Sequence, residues 1–170
     1  MLYVAKVCAD DPSFGATKLN KILFFSDFIS YRKRQRSITG ATYQKLKHGP
    51  AARCFIPVQK KLIQSSRLAI QEIERYGYGQ NRTIALKEPD LTEFSAEEIA
   101  MVYEVIQAHR SKNATEISEM SHQFWWEIAE IGEDIPLEVS LVEISGELSP
   151  EEQAHAASLE GTAIALLAAA

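Results

Sequence analysis

The chain holds only two cysteines, Cys8 and Cys54, which leaves no disulfide framework and no C-x-x-C pair for redox chemistry or zinc. Both lie in apolar or helix-prone surroundings, so the preferred reading is free structural thiols in a reducing compartment. Long hydrophobic runs are also missing. The longest, AIALLAAA at the C-terminal end, falls well short of the ~18 residues of a membrane span. No N-terminal stretch joins basic residues to an apolar run and a small-residue cleavage site. These absences predict a cytoplasmic protein with no membrane partner. A strong basic balance is lacking too: the net charge is -5 and the pI about 5.4. That argues against a chain whose main task is wrapping nucleic acid.

The signatures of catalysis and cofactor binding are equally sparse. The histidines, His48, His109, His122 and His155, show no i, i+4 ligand spacing with a carboxylate or thiol, so no metal is expected. There is no G-x-S-x-G elbow and no phosphate-cradling glycine loop. The YGYG stretch sits where a hairpin turn is expected, with Gly supplying positive φ. Glu97-Glu98 and Asp10-Asp11 have helix-start explanations, since carboxylates favour that end of the dipole. The chain is therefore read as a non-enzyme without cofactors.

What is present is a mostly helical α+β pattern in 170 residues, enough for a sizeable core. Residues 2–9 suit a short helix ended near Pro12. From Ala16 to Arg36 no Pro or Gly intervenes. Leu19, Ile22, Leu23, Phe25, Ser26 and Ile29 share a broad face there, widened by Phe24 and Phe28. A helix apolar over so much of its circumference packs on several sides, and this one is expected to be the central core helix. The cations at its end, Arg32, Lys33, Arg34 and Arg36, are read as solvated partners of the helix dipole. Residues 41–48 are read as a strand, and Gly49-Pro50 as the start of the next helix. Pro57 in that helix implies either a kink or a later start near Arg53. The runs flanking YGYGQN predict a β-hairpin, and strand and hairpin together a small antiparallel sheet. Ser95 with Glu98, stapled by Phe94 on Ile99, and Asn113 with Glu116 are capping boxes opening two further helices. Another helix is expected from His122 to Gly132, and one more from Leu148-Ser149-Pro150. No repeat or linker divides the chain. The expected organisation is one domain over residues 1–146, followed by a C-terminal helix and apolar tail over 147–170.

The element order also approaches a winged helix, with Arg75 and Arg82 on the hairpin and Lys60 and Lys61 before it. A DNA-binding transcriptional regulator is therefore the alternative function. It ranks second because the long helix is too apolar for a spectator and the chain is acidic.

Four ordered stretches carry a more specific signal: FGATKLNKILFFSDF (14–28), SITGATYQKLKHGPAA (37–52), KEPDLTEFSAEEI (87–99) and ATEISEMSHQFWWEIAEIGEDIP (114–136). Together they resemble the Panacea domain, the antitoxin domain that includes SocA and phage-associated GepA proteins. The resemblance covers roughly residues 2–145. It implies a toxin–antitoxin system in which this chain neutralises a cognate protein toxin by direct protein–protein interaction, with no chemistry of its own. Proteolytic-adaptor behaviour is also implied, through delivery of the toxin to a AAA+ protease. The family-motif residues carried over are Lys18, Leu19 and Lys21, then Lys47, His48, Gly49 and Pro50, then Ser121 and His122. Tyr43, Lys45, Lys47 and His48 are the candidates for toxin contact, against a purely structural role. Helical neighbours cannot face the same way, so one of Trp125 and Trp126 is expected to face a partner, and Trp126 joins the candidate set. Gly49 and Pro50 have sufficient backbone reasons to be there. His122, beside a capping-type Ser121, is expected to be satisfied within the domain. The tail TAIALLAAA resembles bacterial degradation tags, which would make the antitoxin labile; a frayed or docked helix end is the plainer reading.

Overall fold

The computed structural model describes residues 1–75 and 78–142. The elements are α1 (Leu2–Val7), α2 (Ala16–Arg34), β1 (Tyr43–Gln44), β2 (Ala51–Ala52), α3 (Phe55–Gln64), β3 (Leu68–Arg75), β4 (Tyr78–Ala85), α4 (Ala96–His109), α5 (Ala114–Met120), α6 (Phe124–Glu127), β5 (Asp134–Ile135) and a 3-10 turn, Leu137–Leu141. The expected start near Leu148 and the apolar tail lie outside the described residues.

The α+β, mostly helical class follows from α2. Every residue from Lys18 to Phe28 is buried, and the helix touches α1, α4, α5, β2, β4 and the 3-10 turn. Phe24 sits at the centre, with ring centroids 5.4 Å from Phe25 and Phe28 and 5.1 Å from Tyr43. Leu19, Ile22 and Phe24 are fully enclosed with Phe14 and Ile117, each contributing ~1.5–3 kcal/mol by burial. The helix stops at Gln35, which takes a left-handed conformation at φ 54°. Both capping boxes form in full, Ser95 with Glu98 and Asn113 with Glu116.

Several local expectations give way to longer-range pairing. Strand and hairpin do not share a sheet: β1 lies between β2 and β5 in one sheet, while β3 and β4 pair in another. The strand read over 41–48 shortens to Tyr43–Gln44, with Tyr43 opposite both Ala52 and Ile135. Pro50 leads into β2 rather than a helix, and α3 begins at Phe55, so Pro57 stands in its first turn. Gly79 belongs to β4 opposite Glu74 instead of a turn. The helix expected to reach Gly132 stops at Glu127. Beyond it the backbone is drawn onto Lys45: the Lys45 amide donates to Glu133 O at 2.8 Å, and the Gly132 amide donates to Lys45 O at 2.8 Å. α3 itself buries only Phe55, and its Val58 and Leu62 face Ile99 and Val102 of α4 across an apolar groove of about 260 Å³.

Candidate partner-binding site at the Gly-Pro corner

Lys18 and Lys21 are both buried, at 1% and 2% exposure, on the first turns of α2. Lys18 forms an ion pair with Asp11 at 2.6 Å. It also donates to Ser13 Oγ and to the carbonyls of Arg110 and Lys112, so its charge closes the C-terminal end of α4. Burial alone would raise the Asp11 carboxyl. The bonds from Lys18 and Ser13 outweigh it, and the group is held below its ordinary range.

Lys21 points the other way, to the Gly-Pro corner. Its Nζ donates to Pro50 O at 2.8 Å, and Asn20 donates to the same oxygen at 3.0 Å while accepting from the Ala52 amide. Gly49 has φ +87°, a conformation L side chains rarely adopt. A Cβ there would stand 2.2 Å from Ser121 Oγ, 2.5 Å from Lys21 Nζ and 3.1 Å from the His122 ring. Only glycine lets the three motif segments close at this point. Ser121 is fully buried and its hydroxyl donates to Ser118 O at 2.6 Å.

A platform lies on the outer side of the corner. The His122 and Trp126 rings stack with centroids 4.3 Å apart, and Lys45 Nζ stands 4.1 Å over the Trp126 ring. Trp126 donates its indole N–H to Leu46 O at 3.1 Å, and Lys45 donates to Ala129 O at 2.8 Å. Lys47 and His48 are exposed beside them. His122 Nε2 is buried without a hydrogen-bond partner. Burial, then the nearby Lys21, lower its pKa. The expectation that hydrogen bonds within the domain satisfy His122 is not met at that nitrogen, although the ring stacks on Trp126.

The structure thus brings Lys45, Lys47, His48, His122 and Trp126 to one surface, with Lys21, Gly49, Pro50 and Ser121 beneath it. Leu19 belongs to the core. Tyr43 leaves the contact set: it is 1% exposed, its hydroxyl donates to Asp27 at 2.7 Å, and burial followed by Asp27 raises its pKa well above normal. The same Asp27 accepts from the Ile38 and Thr39 amides at 2.8 Å and from the Thr39 hydroxyl, pinning the chain between α2 and β1. The side chain of Trp125 lies outside the described residues.

The reading of the α2 terminus also changes. Arg34 and Arg36 contact Glu98, at 3.2 and 2.9 Å, rather than standing only in solvent. The Ser95 amide and then Arg36 hold that carboxyl down to about 2. Arg82, a candidate for DNA phosphates, donates to Ala9 O. Cys8 and Cys54 are free thiols, with Cys8 pushed up to about 12 by burial. No group of three or more His, Cys, Asp or Glu among the described residues has metal-binding placement. No helix among them is long and apolar enough to cross a membrane.

The family model for "Antitoxin SocA-like, Panacea domain" matches residues 19–127, well over half of the chain and inclusive of both sides of the corner. The chain belongs to the SocA-like Panacea antitoxin family. No curated protein and no solved structure gives a significant match. Within this Panacea domain, the structural roles that sequence reasoning missed are those of Asp11, Asn20 and Asp27, and the contact of the cap residue Glu98 with Arg34 and Arg36. The motif stretches contain Asn20, Asp27 and Glu98, but their partners lie in other segments.

Proposed function

We propose that this Panacea domain neutralises a co-encoded protein toxin by direct binding, without chemistry of its own, through the platform of Lys45, Lys47, His48 and Trp126. One observation carries the reading: segments 45–48 and 122–126 meet in a single cation–aromatic stack, with two further cationic-type side chains exposed beside it. A rigid aromatic with a flanking charge is the kind of anchor that concentrates affinity at protein interfaces. The backbone beneath it is already fixed by Gly49 and Pro50, so little ordering cost accompanies binding.

Growth rescue tests it. The adjacent reading frame is induced with and without this chain, and any complex is recovered through a tag on this chain. Rescue with a recovered complex supports neutralisation by binding; a non-toxic neighbour, or toxicity unaffected by this chain, removes it. Lability and protease delivery through the tail belong to the same proposal. They are tested by the cellular half-life after deletion of residues 161–170.

A further inference from the structure

Among the buried lysines and carboxylates described, Lys18, Asp11 and Glu98 each have an opposite charge within ion-pair distance, and Asp27 is held by donors from three residues. Among the described residues Lys21 has a single hydrogen-bond acceptor, Pro50 O, and no carboxylate in ion-pair contact. An ammonium carries three N–H donors, so at least two of them would be unmatched in a site 2% exposed. Gly49 packs directly on Nζ, since a Cβ added there would stand only 2.5 Å from it.

We infer that Lys21 is a proton-operated latch on the Gly49–Pro50 corner: as a neutral amine it ties the corner to α2, and taking up a proton loosens that tie. Burial pushes its pKa down to about 7, in keeping with this geometry. The titratable group that faces it from another element is His122, which lies on the turn after α5 and is influenced in turn by Glu119, His48 and Lys45. Lys18, on Lys21's own helix, is engaged with Asp11. The corner carries Lys45 to His48, and Trp126 is bonded to Leu46 O, so loosening it disturbs the platform. That consequence for partner binding rests on the reading above; the latch itself does not.

The sign follows from linkage. The open corner exposes a lysine titrating near 10.5, while the closed one titrates near 7. Between those values the open form binds more protons, so opening grows about tenfold for each unit of falling pH and levels off below 7, where both forms are charged.

The test uses the full chain with 13C-labelled lysine. One Nζ-adjacent carbon should titrate near pH 7, assigned by its loss in Lys21→Met. Amide exchange at Ala52 and Gly49, corrected for intrinsic rate, should show opening that rises as pH falls from 9 to 7 and flattens below. Lys21→Met should abolish that slope. A Lys21 midpoint above 9.5 in the unmutated chain overturns the proposal, whether or not the variant folds. An unchanged slope in a folded Lys21→Met overturns it as well. The toxin-binding reading fails separately, if Lys47→Glu leaves rescue and complex recovery intact, and neither lysine readout depends on it.

Discussion

Lys18 and Lys21 stand about one turn apart on the same helix, are equally buried, and have opposite physics. Lys18 enters the interior with its counter-charge, an ion pair to Asp11 at 2.6 Å, and directs its remaining donors to a hydroxyl and two helix-end carbonyls. Lys21 enters with one carbonyl that Asn20 already serves. The first is a structural rivet whose charge is required. The second is tolerated as an amine, at a place where three chain segments close around a glycine. Burial of a charge therefore decides nothing by itself: the partners it meets determine whether the residue stabilises the fold or sits at a switchable point.

The largest predicted effect breaks the Lys18 side. Asp11→Asn removes the counter-charge and leaves a buried ammonium, which should cost about 3–5 kcal/mol in urea unfolding. A loss under about 1 kcal/mol would show that the carbonyls of Arg110 and Lys112 suffice, and would erase the contrast. Next comes Gly49→Ala. The φ of +87° and the 2.2 and 2.5 Å approaches to Ser121 and Lys21 combine left-handed strain with overpacking, for a loss of about 2–3 kcal/mol. Gly40→Ala also has positive φ, at +68°, but open space around it, and should cost visibly less. Equal losses at the two would mean that backbone strain alone, and not closure of the corner, explains the glycine.

Lys21→Met sharpens the comparison further. At pH 7 it should leave stability unchanged or raise it, by up to about 4 kcal/mol, because an apolar chain replaces an uncompensated group and Pro50 O keeps its Asn20 donor. For the unmutated chain the folded pKa is depressed, so stability should climb as pH rises from about 7 towards 10.5, by at most ~1.4 kcal/mol per unit. Urea midpoints at pH 7 and 9 measure this, and the climb should vanish in the variant. The acid side runs in the same direction over a lower window. Glu98 is held at about 2, so the stability it adds is present above its unfolded value near 4.5 and is lost as pH falls towards 2.

How much of this is legible in the sequence depends on how local the cause is. The α2 core face and both capping boxes involve residues three or four apart, and there the periodicity and cap spacing agree with the structure. The Gly-Pro corner is visible as a motif but not as a meeting place. Nothing near Gly49 announces that Ser121 and His122 fill the volume of its absent side chain. Lys45 shortens a helix that periodicity extends to Gly132, because ladder bonds from a strand some eighty residues earlier outweigh local propensity. Arg34 and Arg36 read as solvated for the same reason: their partner Glu98 lies 64 and 62 positions away. Tyr43 misleads in the other direction. A tyrosine beside two lysines reads as a contact residue until Asp27, sixteen residues back, is seen to accept its hydroxyl.

The smallest effect on stability should belong to a third lysine and carry the largest consequence for function. Lys47 is exposed, on the outer side of the same corner that Lys21 closes from within. Lys47→Glu should shift the urea midpoint by less than about 0.5 kcal/mol, as surface substitutions away from special features do. On the reading proposed for the platform, the same change reverses a charge beside the Lys45–Trp126 stack and should weaken rescue and complex recovery together. Trp126→Ala is a poorer probe, since it also removes the bond to Leu46 O and the stack on His122, so lost rescue there could reflect a loosened corner. The informative result is the pair: rescue impaired in Lys47→Glu at unchanged stability separates contact from scaffold. Rescue retained there, with impairment only in variants that also unfold more readily, would move the toxin surface away from this corner and leave its residues a purely structural account.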